Sequence, residues 1–363
     1  MTPLARQLRA EIALNGPITV AAYMAAAMSH PRHGYYMRRD PLGRDGDFIT
    51  APEVSQMFGE LVGLWCVAGW EQIGRPAKAL LVELGPGRGT LMSDALRAIA
   101  AAPACRDALE VHLVETSPVL RAAQARALEG VPAAWHGELQ AAPEAPMLLI
   151  ANELFDALPV HQFVRRLEGW RERLVDAAPG GGFRFVLAAG PTPAAALLPE
   201  SLNGAPPGSV AELSPAAISL AHEIGRRIAA HRGLALIIDY GAGRGPLGDT
   251  LQAVRRHGRH EVLDDPGGAD LSARVDFATL ARAASEAGAR AFGPVTQGEF
   301  LRALGIESRA ARLKRDATKK QRADIDAALT RLADPARMGS LFKALAIAPG
   351  DAPPPAGFEP AAP

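Results

Sequence analysis

Three features of the sequence predict an α/β fold with helices on both faces of a mostly parallel sheet. Apolar runs of strand length alternate with helical segments between residues 76 and 152. The first run leads into a glycine-rich loop, and the second ends in a carboxylate just before a helix start. Repeated strand–helix units imply parallel strands joined by right-handed crossovers. Strands are expected at residues 79–84, 110–115, 133–136 and 146–152, and the first has the length and Val/Leu content of a strand buried on both faces. Residues 234–240 form the next buried run. After residue 270, a helix at 276–287, a strand at 291–296, a helix at 298–304 and a strand at 341–348 complete a seven-stranded sheet with an antiparallel edge.

Residues 1–75 read as an N-terminal helical cap carrying a turn-rich loop, with helices over 3–15 and 19–28. Val54, Met57, Phe58, Leu61, Val62 and Trp65 then recur at helical spacing, so they belong to the core face of a helix. Thr50 and Glu53 fit a capping box at its start. About eighty residues separate Asn152 from the run at 234, too many for a simple crossover. Within them, 160–167, 170–175 and 183–187 alternate apolar and polar residues, which predicts a small antiparallel β-rich insertion over 160–212. Ser214-Pro215 caps a helix reaching about residue 232. The main domain therefore spans 76–348. The Pro- and Ala-rich tail, 349–363, is expected to be disordered.

The composition excludes several classes. Lys plus Arg equals Asp plus Glu, so bulk electrostatics do not predict a nucleic-acid partner. Cys66 and Cys105 are the two cysteines and form no C-x-x-C pair, which fits a reducing compartment. No apolar run approaches the ~20 residues that span a bilayer. The first fourteen residues lack the apolar centre of a signal peptide. A cytoplasmic location follows as the expectation. His30/His33 and His257/His260 lack carboxylate or cysteine partners in pattern, and no metal site is expected.

The loop carries the chemistry. Gly85, Gly87 and Gly89 are spaced G-x-G-x-G, unlike the G-x-G-x-x-G dinucleotide fingerprint, and no Lys-Ser/Thr follows as in a P-loop. Without Cβ atoms the backbone can pass close to a ligand and turn sharply into a helix beginning near Thr90. This spacing resembles the first motif of S-adenosylmethionine-dependent methyltransferases, with Glu83 ending the strand before it. In doubly wound sheets an acidic residue ending the second strand faces the ribose hydroxyls, and Glu115 holds that place. Thr116-Ser117-Pro118 starts the next helix. Asn152, Glu153 and Asp156 follow the fourth strand, on the same side of the expected sheet as the glycine loop.

Four long motifs make the resemblance specific: Gly46-Asp47-Phe48-Ile49-Thr50-Ala51-Pro52-Glu53-Val54, Glu83-Leu84-Gly85-Pro86-Gly87-Arg88-Gly89-Thr90, Ala151-Asn152-Glu153-Leu154-Phe155-Asp156-Ala157-Leu158-Pro159, and Ile238-Asp239-Tyr240-Gly241. Together the chain resembles the MidA family over nearly its whole length, continuing through Thr250–Arg255, Val275-Asp276-Phe277 and Thr296-Gln297-Gly298. Ala51 stands where that family more usually carries Ser, so no hydroxyl role is assigned there. The resemblance implies a Rossmann-like class I methyltransferase using S-adenosyl-L-methionine. It further implies a protein-arginine methyltransferase acting on a subunit of respiratory complex I, the NADH dehydrogenase, during assembly. A homodimer is compatible with this reading.

Arginine N-methylation needs carboxylates that hold the guanidinium bidentately and turn one nitrogen toward the methyl group. Glu153 and Asp156 supply two within four residues, with Asn152 orienting the cofactor or the loop backbone. The expected cofactor-binding residues are Glu83, Gly85, Gly87, Gly89, Thr90, Glu115, Glu138 beyond the third strand, and Asp47 and Thr50 in the N-terminal signature. Asp239 and Tyr240 end the fifth strand and either wall the substrate or serve only as a strand end. Two further readings stay open here: an assembly chaperone that binds the cofactor with little transferase activity, and a small-molecule methyltransferase. The long insertion favours a macromolecular substrate, since extra strands can grip a chain by edge pairing.

Overall fold

The computed structural model describes residues 1–43, 46–242 and 247–359. They form two compact units. The larger comprises 49–155, 219–243 and 275–363, and the smaller 1–48, 156–218 and 244–274. The N-terminal segment thus contributes residues to both.

Seven strands build the sheet of the larger unit: β1 (Ala79–Leu84), β2 (Leu109–Val114), β3 (Ala133–His136), β4 (Met147–Asn152), β5 (Gly233–Ala242), β6 (Ala289–Thr296) and β7 (Phe342–Pro349). Their order is β6-β7-β5-β4-β1-β2-β3. β1 to β5 pair in parallel, while β7 runs antiparallel to both β5 and β6. The antiparallel strand therefore lies one place in from the edge. A two-residue strand, Val275–Asp276, adds an eighth beside the end of β5. β1 and β4 are buried at every position, as strands covered on both faces should be. Strand order reverses between β1 and β4, which opens a crevice beyond their carboxyl ends.

The expected helix from Thr50 is two helices. A single turn, Ala51–Val54, precedes α1 (Gln56–Gln72), which is capped by the Ser55 hydroxyl accepting from Met57 N–H. The expected capping box is absent: the Thr50 side chain makes no capping bond. The Glu53 carboxylate turns instead to the Thr90 hydroxyl at 2.6 Å and to Arg88 at 3.6 Å. α2 (Thr90–Ile99) follows the glycine loop and packs tightly on α1. Gly59 and Gly63 permit this approach. A Cβ at Gly59 would stand 2.6 Å from Asp94 Cβ, and one at Gly63 2.4 Å from the Ala95 carbonyl oxygen. Phe58, Trp65, Leu81, Leu148 and Phe300 belong to the core beneath. α3 (Pro118–Ala127) begins at Ser117, whose hydroxyl accepts from Leu120 N–H.

Between β6 and β7 lie four helices, Gln297–Ala303, Ile306–Lys314, Lys319–Ala333 and Met338–Leu341. The sequence reading found only the first. The second and third bury few side chains, mostly Ala and Leu, so their apolar stripes are weak. The tail expected to be disordered is packed through Glu359. The Phe358 ring packs tilted against Phe300 with centroids 5.4 Å apart, and the Trp65 indole donates to the Ala356 carbonyl at 3.1 Å. Prolines have no N–H to satisfy, so such a segment can lie on a surface without a pairing strand. Residues 360–363 lie outside the described residues.

In the smaller unit, helices Pro3–Asn15 and Val20–Ser29 share a core with the β-rich insertion, including Leu4, Leu8, Tyr23, Met24, Val175 and Leu271. The expected three-strand meander is present as His161–Arg166, Gly169–Ala177 and Phe183–Leu187. Ile18–Thr19 and Val210–Leu213 extend it to five strands. Gln252–Arg255, Gly258–His260 and Asp270–Ser272 form a second small sheet. These additions are two to four residues long, too short to show a period.

Gly63→Ala should destabilise the protein by about 1–2 kcal/mol in chemical denaturation. The collision with Ala95 backbone outweighs the ~1 kcal/mol that alanine gains in helix propensity. Gly204→Ala, which meets nothing within 4 Å, is the control and should stay within about 0.5 kcal/mol of wild type. Equal stability of the two variants would contradict the packing account.

Candidate active site

The crevice in the larger unit is floored by the glycine loop. Gly85, Gly87 and Gly89 all adopt positive φ, at 62°, 54° and 84°. L side chains rarely tolerate this region, so the loop requires glycine at each position. Gly85 N–H donates to the Val114 carbonyl, and Gly89 N–H to the Pro86 carbonyl. The loop is thereby fastened to the end of β2 and closed on itself.

Glu83, near the end of β1, is 2% exposed. Burial pushes its carboxyl up to about 8, and the Met92 backbone N–H offsets only part of this. Among the described residues, its Oε2 has no hydrogen-bond partner. Asn152, at the end of β4, has a second such atom: its Oδ1 is buried without a partner, while its Nδ2 donates to Glu153 Oε1 at 3.2 Å. Two orphaned acceptors beside a cradle of glycines suit a ligand that brings donors, and a cationic amino group above all. The amino-acid part of S-adenosylmethionine is such a group.

Glu115 follows β2 and is 8% exposed. Its Oε1 accepts from Ser117 N–H at 2.7 Å and its Oε2 from the Gln124 amide at 3.2 Å. Burial raises its pKa, and these bonds with the Arg121 charge pull back only part of the shift. A carboxylate so held can accept from a ribose diol. Thr90 stands at the start of α2, where its hydroxyl donates to Glu53. Glu138 is exposed and begins a 3₁₀ turn, Leu139–Ala141. Thr50 is half-buried at the start of its short helix.

Glu153 has φ 52°, a conformation costly for a non-glycine residue, and such strain clusters at functional sites. The surroundings enforce it. Glu153 N–H donates to the Ile238 carbonyl at 2.8 Å. The Asp239 carboxylate accepts from Leu154 and Phe155 N–H at 3.1 and 2.8 Å. Asp239 therefore ties the turn after β4. Glu153 Oε1 accepts from Ala51 N–H at 2.7 Å, capping the short helix that Thr50 leaves uncapped.

Two of the expected residues, Asp47 and Asp156, belong to the smaller unit. Asp47 is 4% exposed and accepts from the Tyr35 hydroxyl at 2.7 Å, Arg39 at 2.6 Å and Arg256 N–H at 2.7 Å. Burial raises its carboxyl, but these three partners outweigh it and hold the pKa below the usual value. Its recorded contacts are those of a loop anchor. Near Asp156 lies Asp270, which the sequence reading missed. Burial first, and then the Asp156 charge, push Asp270 up to about 7, and the Tyr36 hydroxyl donates to it at 3.1 Å. Gln124 was also missed. Its signal was a polar residue at a core position, four after Leu120 on an amphipathic helix.

The strand order, the glycine loop at its reversal and the buried acid after β2 define a class I methyltransferase. A family model described as putative S-adenosyl-L-methionine-dependent methyltransferase matches residues 61–295. A mitochondrial protein arginine methyltransferase NDUFAF7 homolog of Drosophila melanogaster is 40% identical over 380 residues, covering 96% of this chain and 85% of that protein. The mitochondrial protein arginine methyltransferase NDUFAF7 of Bos taurus is 39% identical, covering 96% and 84%. The crystal structure of a COG1565 superfamily member and likely methyl transferase from Burkholderia thailandensis, bound to S-adenosyl-homocysteine, superposes with a TM-score of 0.83 at 30% identity, covering 99% of this chain and 93% of that one. The chain belongs to this family, the MidA family of S-adenosylmethionine-dependent methyltransferases, and S-adenosyl-L-methionine is its cofactor.

The buried Glu83 predicts a pH signature for cofactor binding. With a pKa of about 8 it carries its proton near neutral pH. A cationic amino group beside it favours the ionised form, so binding releases a proton, and affinity rises with pH until about 8. Calorimetry of S-adenosylhomocysteine binding in two buffers of different ionisation enthalpy should show up to one proton released near neutral pH. Glu83→Gln should release none. The same release from that variant would remove Glu83 from the account.

Proposed function

We propose that this protein is a protein-arginine N-methyltransferase acting on a subunit of respiratory complex I during assembly. Relatives named mitochondrial protein arginine methyltransferases, about 40% identical over nearly the whole chain, support the substrate class. One local observation carries the chemistry: in the smaller unit, Ala273 N–H donates to the Asp156 carbonyl at 2.9 Å, which sets Asp156 beside the end of the strand that holds Asp270, and the Asp156 charge adds to burial in raising the Asp270 pKa. Two carboxyl groups that resist ionising together are relieved by a cation. A guanidinium, planar and permanently charged, fits that need through several N–H donors.

In this reading Asp156 and Glu153 are the carboxylates of the transfer reaction, and Asn152 orients Glu153 through its amide. S-adenosylmethionine supplies a methyl group on a sulfonium. The protein's part is to hold the arginine nitrogen in line, which can supply ~7–11 kcal/mol of the barrier. Asp270 takes up and gives up a proton as the guanidinium leaves and enters. The protein would be cytoplasmic and meet its target before or at membrane assembly; among the described residues no helix is long and apolar enough to cross a membrane. A homodimer is compatible with the reading.

The test is mass spectrometry of arginines in the respiratory complex, with and without this protein. Asp156→Asn and Glu153→Gln should slow transfer by ~10–150-fold, the worth of one charge-assisted bond strengthened in the transition state, with little change in cofactor affinity. Glu115→Gln should weaken cofactor binding first. At saturating cofactor, kcat/KM for the target should rise with pH through about 7, as Asp270 ionises, and Asp270→Asn should lose that limb. Wild-type rates in the Glu153 and Asp156 variants would contradict the catalytic assignment. Inactive variants that still support assembly in cells would favour the chaperone reading.

A further inference from the structure

We propose that Gln124 is a positioning residue that sets the spacing between the glycine loop and the ribose-binding carboxylate of Glu115. The inference rests on the cofactor reading above and assigns a role to a side chain that touches no ligand in it. Gln124 lies on α3 and is fully buried. Its Nε2 donates to the Gly87 carbonyl at 2.8 Å and to Glu115 Oε2 at 3.2 Å. Its Oε1 accepts from the Trp135 indole at 2.9 Å, on β3. One amide thus ties together the loop after β1, the acid after β2 and strand β3.

The pattern of donors and acceptors selects this residue type. A carbonyl and a carboxylate both require a donor, while an indole N–H requires an acceptor. A primary amide offers two donors and an acceptor on one planar group. An ionised glutamate cannot donate to either oxygen and a protonated one has a single O–H for the two, while lysine or arginine cannot accept from Trp135. The partners also fix which end of the amide is which, since the indole only donates and the carbonyl only accepts.

The backbone around Gln124 has little slack. A Cβ added at Gly89 would stand 3.3 Å from the Gln124 Cα and 3.3 Å from Ala127 Cβ, so α3 lies directly against the loop. Arg121, one turn earlier, donates to the carbonyls of Glu115 and His136 at 2.7 and 2.9 Å. The helix therefore holds Glu115 by its backbone through Arg121 and by its carboxylate through Gln124. A cofactor spanning from amino acid to ribose must meet the glycine loop and Glu115 at once, so their separation decides the fit.

The experiment measures S-adenosylhomocysteine affinity by calorimetry as a function of pH, with thermal unfolding as the check on folding. Gln124→Glu keeps the shape but sets a second carboxyl beside Glu115, and Gln124→Leu removes both donors. Both variants should bind about 10–100-fold more weakly. Both should also move the acid limb of binding to higher pH, because Glu115 loses a donor that favours its ionised form. The other charged and titratable neighbours, Arg121 on α3 and His136 at the end of β3, are unchanged, so their contribution is common to all curves. Leu120→Ala, which loosens α3 without touching the polar network, should lower the unfolding temperature and leave the acid limb in place. Trp135→Phe gives a second handle that removes only one bond, with a weaker loss of affinity expected. Affinity and acid limb within twofold of wild type in folded Gln124→Glu would overturn the proposal. A shift of the acid limb in Leu120→Ala as large as in Gln124→Leu would overturn it too, by making the effect one of helix stability. If the wild-type protein failed to bind S-adenosylhomocysteine, the cofactor reading itself would fall.

Discussion

The larger unit is organised around a backbone constraint: three glycines in five residues, each at positive φ, at the place where strand order reverses. The turn they make lets β1 deliver its chain under a ligand and into α2 without a side chain between. The packing near the loop accommodates that turn. Leu154 approaches Gly85 so closely that a Cβ there would lie 2.8 Å from it, and at Gly89 a Cβ would lie 3.3 Å from α3. The Gly59 and Gly63 face of α1 then lets α2 sit near enough to start where the loop ends.

Groups around this loop are held in costly states, and two of them keep buried oxygens that a ligand's donors would satisfy. Glu83 is buried as a carboxyl with an unpartnered oxygen, Asn152 keeps an unpartnered carbonyl, and Glu153 is strained. Each would be selected against in a site built only for stability. The strain at Glu153 is sustained by Asp239, which binds two backbone N–H groups of the next residues. Asp239 thereby fixes the backbone of the turn after β4.

Much of the fold was legible in the sequence because its long elements obey simple periods. The buried strand at 79–84, the half-buried one at 133–136 and the first helix fall where the sequence pattern put them. What escaped had a physical reason. Strands of two to four residues carry no period, and the second and third helices between β6 and β7 bury few side chains. Thr50 and Glu53 matched a capping box, yet Glu53 found a better partner in Thr90, brought close only by the tertiary fold. Of the candidate site, the glycine loop from Gly85 to Gly89 was legible from its spacing, and Glu115 from its place after the second strand. Gln124 and Asp270 were not, because each acts through neighbours distant in sequence: Trp135 eleven residues on, and Tyr36 on another segment.

The central claim is that the glycine loop and Glu115 hold S-adenosylmethionine rather than a nicotinamide cofactor. Calorimetric titration of the purified protein with S-adenosylhomocysteine and, separately, with NADH tests it most directly. The account predicts saturable binding of the first, abolished by Gly87→Val, since a branched side chain cannot adopt that backbone or leave room for the ligand. Binding of NADH with none of S-adenosylhomocysteine would contradict it.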